Sequence, residues 1–280
     1  MNKILTLLSF LVLTAFLGGF VYGHADQSTS QSTLTPKALH RPHLFSEMTR
    51  ATVKDSQGRY AGRIIDLVVD PDGGISFAIL SPLAMDVRNE RLVALPFNTV
   101  TLNDKDVVLD TTTEKLTNAP LFRINYPSAR NWAEDANGYF GIQPSWGEAA
   151  CEKTGDMPHQ ISMTKGWNRP YEATEIIGTE VRDSQGEEVG KIDDLVFDNE
   201  GRTSFAIVGY GGFLGIGQNL VAVPVNSLSN VEKPRHFVLD ATKQKVQSAP
   251  LFSKKTLNDP AWADGVYRFF GQQPYWTDEK

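Results

Sequence analysis

The chain has 280 residues, 33 of them acidic and 27 basic, for a formal net charge of −6. At 41% hydrophobic and 21% charged it has the balance of a folded globular protein, with length for one large or two small domains. The mild acidity argues against a nucleic-acid partner, whose phosphates need a basic surface, and against electrostatic docking on anionic lipid.

The chain opens MNKILTLLSFLVLTAFLGGFVYGHADQ, with Lys3 as its only early charge, an uncharged apolar run from Ile4 to Tyr22, and small residues at Gly23 and Ala25. This is the pattern of a secretory signal peptide over residues 1–25, cleaved near Gly23 to Ala25, and it predicts an exported, periplasmic mature protein. The alternative is an inner-membrane anchor formed by residues 4–22, a length near the lower limit for spanning a bilayer. Residues 26–40 are rich in Ser, Thr and Gln and read as a disordered linker. Cys151 is the only cysteine, so an exported chain would have no internal disulfide.

From Arg41 onward the chain repeats. At an offset of 128, Arg41-Pro42 meets Arg169-Pro170 and Asp55-Ser-Gln-Gly58 meets Asp183-Ser-Gln-Gly186. Asp66-Leu-Val68 meets Asp194-Leu-Val196, and Ser76-Phe-Ala-Ile79 meets Ser204-Phe-Ala-Ile207. After two extra residues near Pro234 the offset becomes 130, and Ala119-Pro-Leu-Phe122, Trp132 and Trp146 meet Ala249-Pro-Leu-Phe252, Trp262 and Trp276. So long a period means duplicated domains. The copies span 41–146 and 169–276, joined by a linker at 147–168 that carries Cys151.

Each copy reads as short β-branched strands separated by Gly-containing turns, such as Ser184-Gln185-Gly186 and Asn199-Glu200-Gly201. The fold class is therefore all-β, a small barrel or sandwich per copy. TTTEKLTNAP and ATKQKVQSAP each suggest a helical turn ended by proline. The aromatic tails, Trp132, Tyr139, Phe140 and Trp146 in one copy and Trp262, Phe269, Phe270, Tyr275 and Trp276 in the other, predict a packed lid. Each copy is long enough to fold alone and carries what reads as a complete strand set.

The second copy contains Thr174-Glu175, Val181, Asp183, Gly186, Gly190, Ile192, Asp194-Leu-Val196, Gly201, Gly211-Gly-Phe-Leu-Gly215 and Val221-Ala-Val-Pro224. The first copy keeps Ser46-Glu47, Val53, Asp55, Gly58, Gly62, Ile64, Asp66 and Pro96. In this combination the chain resembles the PRC-barrel family, known from the photosynthetic reaction-centre H subunit and a ribosome maturation factor. The endings QPSW and QPYW resemble an extension found in bacterial tandem members. The resemblance implies two small barrels in tandem, each with a short helical and aromatic C-terminal extension. It also implies binding as the shared activity.

The stretch GYGGFLGIGQN, Gly209 to Asn219, looks like a phosphate loop, but its counterpart Ser81 to Arg91 has no glycine. A phosphate loop also needs a helix directly after the glycines, whereas here a strand follows that contains Pro224. The reading is a hairpin loop whose Phe213, Leu214 and Ile216 contact a partner, with no nucleotide bound. Asp70-Pro-Asp-Gly-Gly and Asp198-Asn-Glu-Gly resemble half a calcium loop, but Ser81 and Gly209 stand where the bidentate Glu belongs, so hairpin turns are expected. His40 and His43 flank Pro42 with no further ligand nearby. Asp193 and Asp194 are adjacent on a strand and face opposite sides. Nothing assembles a nucleophile with its base.

The sequence therefore predicts a non-catalytic protein-interaction or scaffold module of the bacterial envelope, with no catalytic residues, metal or cofactor. Its expected partner is a protein, one that is membrane-associated under the H-subunit comparison. Two alternatives stand beside it. One is an envelope sensor or enzyme with a ligand or metal site between the barrels. The other is an H-subunit-like role in assembly or in proton or electron transfer.

Overall fold

The computed structural model describes residues 41–82, 91–103, 106–122, 130–143, 169–212 and 217–277. The opening residues 1–40, read above as a signal peptide and linker, residues 147–168 with Cys151, Trp146, and the loop residues Phe213, Leu214 and Ile216 lie outside them.

The first copy begins with β1 (His43–Leu44) and α1 (Phe45–Met48), followed by β2 (Thr52–Lys54), β3 (Tyr60–Val69), β4 (Ile75–Pro82), β5 (Val93–Pro96), β6 (Val100–Leu102) and β7 (Asp106–Leu109). Helices α2 (Thr113–Thr117) and α3 (Arg130–Phe140) close it. The second copy repeats the order: β8 (Tyr171–Glu172), α4 (Ala173–Ile176), β9 (Glu180–Arg182), β10 (Glu188–Phe197), β11 (Thr203–Tyr210), β12 (Asn219–Pro224), β13 (Leu228–Glu232), β14 (Arg235–Leu239), α5 (Lys243–Gln247) and α6 (Pro260–Phe270). Two sheets of seven strands result, and the protein is a pair of small barrels, as the sequence predicts. Within each copy the sheet runs β5-β4-β3-β2-β7-β6 or β12-β11-β10-β9-β14-β13, with β2–β7 and β9–β14 the parallel pairs.

Two devices bend the long strands. At Gly62 an added Cβ would lie 2.3 Å from the Ser81 carbonyl oxygen, and at Gly190 one would lie 2.2 Å from that of Gly209, so the neighbouring backbones can approach only because no side chain is there. Just beyond, the register slips between Ile64 and Asp66 and between Ile192 and Asp194. Each slip is a bulge that re-aims the side chains beside it. Asp66 and Asp194 are buried, while Asp193 stays exposed and is bound by Gln218 Nε2 at 3.0 Å.

The tails pack as the aromatic pattern predicts. Asp259 caps α6, Pro260 occupies its first turn, and Gly271 ends it in the left-handed conformation at φ 75°. Trp262 and Tyr267 of α6 lie 5.4 and 5.1 Å from the Phe205 ring, and Trp276 lies 5.0 Å from Tyr267. In the first copy Trp132 of α3 packs edge-on against Phe77 and Phe122, both at 4.9 Å.

One expectation is corrected. Each copy does not hold its own complete strand set. The opening β–α arm of each copy is seated on the other copy. His43 and Leu44 of β1 pair with Phe197 and Val196 of β10, and Tyr171 and Glu172 of β8 pair with Val69 and Val68 of β3. The limits 41–146 and 169–276 thus mark copies in the sequence, and each spatial barrel borrows its first element. The two-residue arms have too few backbone bonds to persist alone. They are held by burial, with Leu44 and Tyr171 almost wholly enclosed. A single hydrophobic cluster runs through both copies, from Leu44, Val53 and Leu95 to Phe197, Val223 and Trp276.

Candidate functional site: the exchanged junctions and the 209–219 loop

The junction obeys an internal twofold relation. Ile75 N–H donates to the Gly201 carbonyl at 2.8 Å, and Thr203 N–H, its equivalent 128 positions on, donates to the Gly73 carbonyl at 3.1 Å. The turns predicted at Asp70-Pro-Asp-Gly-Gly and Asp198-Asn-Glu-Gly are therefore hairpin turns, and they also join the copies. Gly201, at φ 79°, sits so close that an added Cβ would meet the Phe97 ring at 2.8 Å and the Ile75 carbonyl oxygen at 3.2 Å. Phe97 and Phe197 meet edge-on across the same seam at 6.1 Å.

Each exchanged arm is anchored by a buried aspartate of the other copy. Asp66 accepts from Leu67 N–H at 2.8 Å, from Thr174 N–H at 3.2 Å and from the Thr174 hydroxyl. Asp194 accepts from Leu195 N–H at 2.9 Å and Ser46 N–H at 3.1 Å. Burial raises the pKa of both carboxyls, and the hydrogen bonds from the arms oppose that rise. The Ser/Thr-Glu and Asp-Leu-Val motifs are thus two halves of one lock, met in space only across copies.

The other motif aspartates tie turns within a copy. Asp55 is fully buried and accepts from Gln57 and Arg59 N–H, the Arg59 guanidinium, and the amide and hydroxyl of Thr113. Asp183 accepts from Gln185, Glu187 and Lys243 N–H, which pins the hairpin turn to the start of α5. Asp198 accepts from Glu200 and Arg202 N–H, from Arg202 Nε at 2.9 Å and from the Tyr275 hydroxyl at 2.6 Å. Burial first, then the charge of Asp198, pushes the Tyr275 phenol far above its usual range.

The first copy lacks that arginine. Gly74 occupies the position of Arg202, and the Asp70 side chain is bound by the Ser76 hydroxyl at 3.0 Å. Burial, with Asp72 adding to it, lifts the Asp70 carboxyl to about 7.

Of the residues singled out by sequence, His43 bonds Asn199 Oδ1 through Nε2 at 2.6 Å, a contact between copies. Among the described residues no group of three His, Cys, Asp or Glu is arranged to hold a metal ion. Phe213, Leu214 and Ile216 fall outside the described residues, so the structure does not locate them. The base of their loop is described. Gly211 and Gly217 are left-handed, at φ 69° and 71°, and an added Cβ at either would have no heavy atom within 4 Å. Beside it lies a groove of 510 Å³ lined by Lys191, Tyr210, Gln218, Lys243 and Gln247 among others.

Sequence reasoning missed the exchange. Its one trace was that Arg41-Pro42 and Arg169-Pro170, outside any strand run, keep the repeat offset. A family model for the PRC-barrel domain matches the chain twice, over residues 43–116 and 170–246, each match starting at or beside an exchanged arm. Comparison with curated proteins finds no match.

Proposed function

The chain belongs to the PRC-barrel domain family, in tandem, and from that premise we propose that it is a non-catalytic protein-interaction module of the bacterial cell envelope. The observation that carries this reading is the open base of the 209–219 loop. Gly211 and Gly217 are left-handed, and an added Cβ at either would meet no heavy atom within 4 Å. The sequence between them is Gly-Phe-Leu-Gly-Ile, apolar side chains on a glycine-rich backbone. The buried aspartates Asp55, Asp66 and Asp198, by contrast, are engaged in holding turns and arms. The apolar opening segment, with small residues after it, supports export to the periplasm.

The test is a photo-crosslinking residue at position 214 in the native envelope, with the same residue at the exposed turn position Gln185 as control. The reading predicts an adduct of defined mass from position 214, absent from position 185 and reduced roughly tenfold or more by Phe213→Ala. That factor corresponds to burial of one large apolar side chain at an interface. Identical adducts from both positions, or collapse of the second copy in Phe213→Ala, would remove the loop from the account. Intact mass of the envelope-purified protein reports on export, because cleavage near Gly23 to Ala25 shortens the chain by a fixed amount.

A further inference from the structure

The two exchanged arms are equivalent in position, and one of the differences between them puts a carboxyl where the other arm has an apolar side chain. In the first arm, Leu44 pairs with Val196 and is 1% exposed. In the second, Glu172 holds the same place, pairs with Val68 and is 5% exposed. Its Oε1 has no hydrogen-bond partner among the described residues. Val68 and Asp66 are two apart on β3, and Thr174, two beyond Glu172, is bonded to Asp66. The Glu172 carboxyl is thus buried beside a second buried carboxyl.

The cations nearby are engaged elsewhere. Arg169 bonds Glu175 at 3.1 Å and lies over the Tyr171 ring, and Arg235 of β14 reaches Glu175 at 3.5 Å. Glu232 of β13 accepts from the Tyr171 hydroxyl. Around Glu172 stand Asp66 from β3 and Glu175 from its own arm, both acidic, with Arg169 opposing them.

We propose that the Tyr171–Ile176 arm is a pH-sensitive latch, closed on β3 while Glu172 carries a proton and loosened when Glu172 ionises beside Asp66. The His43–Met48 arm, with Leu44 at the matching position, is the constitutive clasp. Burial, then Asp66 and Glu175, raises the Glu172 carboxyl from 4.5 to about 7. The sign follows from linkage. A carboxyl whose pKa is raised in the closed state holds a proton that the open state releases, so closure is tightest below the open-state value and weakens as pH rises towards about 7. An acidifying envelope would therefore tighten the joint between the copies. Asp66 and Asp194 are raised in both junctions and so do not distinguish the arms, and substitutions at Glu172 separate it from the other differences between them, His43 against Tyr171 included.

The test is hydrogen exchange of the full chain between pH 5 and 8, corrected for the intrinsic exchange rate. Amides 171–177 should lose protection roughly tenfold or more, relative to amides 43–49, as pH rises from 5 to 7, and then level off. Glu172→Gln should abolish the difference, and Glu172→Leu, which copies the first arm, should do the same if the glutamine variant folds poorly. Asp70→Asn, a neighbour titrating in the same range, should keep it. Parallel protection of the two arms in the native chain would overturn the proposal, as would a difference that survives both Glu172 substitutions or disappears in Asp70→Asn.

Discussion

Thr174 donates through its amide and its hydroxyl to Asp66, a residue 108 positions earlier in the other copy. The bond lies entirely between copies, so its loss acts on both.

Thr174→Val keeps the shape of the side chain and removes the hydroxyl. It leaves Asp66, only 7% exposed, short of a partner. The expected cost is about 1–3 kcal/mol. Urea unfolding followed separately in the two copies should show both midpoints lowered together. A fall confined to the second copy would contradict the cross-copy role.

Gly201 and Gly58 offer a matched pair. Both are left-handed, at φ 79° and 78°. A Cβ at Gly58 meets nothing within 4 Å, while one at Gly201 meets Phe97 and Ile75 of the other copy. The backbone strain of alanine should be similar at both, about 1–2 kcal/mol. Gly201→Ala should therefore cost clearly more than Gly58→Ala, and the excess measures the closeness of the seam. Equal losses in thermal melts would mean that the seam yields freely.

Asp70 and Asp198 predict opposite responses to amidation. The Asp70 carboxyl is raised to about 7, so its folded form binds a proton that the unfolded chain releases between about 4 and 7. Its contribution is most favourable below that window and is lost as pH rises through it. Asp70→Asn should thus leave the melting temperature nearly unchanged at pH 4 and raise it by a few degrees at pH 8. Asp198→Asn instead weakens the pair between buried Asp198 and the partly exposed Arg202 and the bond from Tyr275, and should cost about 1.5–3 kcal/mol at pH 7. Calorimetry at the two pH values checks both.

Tyr275→Phe separates the tail from the barrel it covers. The hydroxyl bonds Asp198 at 2.6 Å and lies 3.2 Å from Ser204 Oγ, while the ring packs on Trp276 at 4.9 Å. Losing the hydroxyl alone should cost about 1.5–3 kcal/mol, the range for a bond to a charged group. Near-ultraviolet circular dichroism should show the aromatic signal kept at low temperature, because the ring remains.

The repeat, the longer strands, the turn positions and the aromatic tails were legible in the sequence. Each is a local pattern: Gly201 ending a turn, Asp259-Pro260 opening a helix, the spacing of Trp262 and Trp276. The exchange was not legible. A two-residue strand such as His43–Leu44 has no periodicity to detect, and its partner Val196 belongs equally well to either arm by pattern. The charge difference between Leu44 and Glu172 was visible as a mismatch in the repeat. It gained meaning only when both positions were found at the same buried seat. The loop residues Phe213, Leu214 and Ile216 remain a reading of the sequence, supported by the geometry of Gly211 and Gly217.

The central structural claim is that exchanged arms make the two copies one cooperative body. Hydrogen exchange of the full chain along a urea gradient tests it most directly, by following amides in β3–β4 and β10–β11 in the same samples. The slowest amides of both hairpins should converge on one opening free energy and one urea dependence. Two separate isotherms, with one hairpin fully exchanged while the other stays protected, would contradict the interlock and return the protein to two independent barrels on a string.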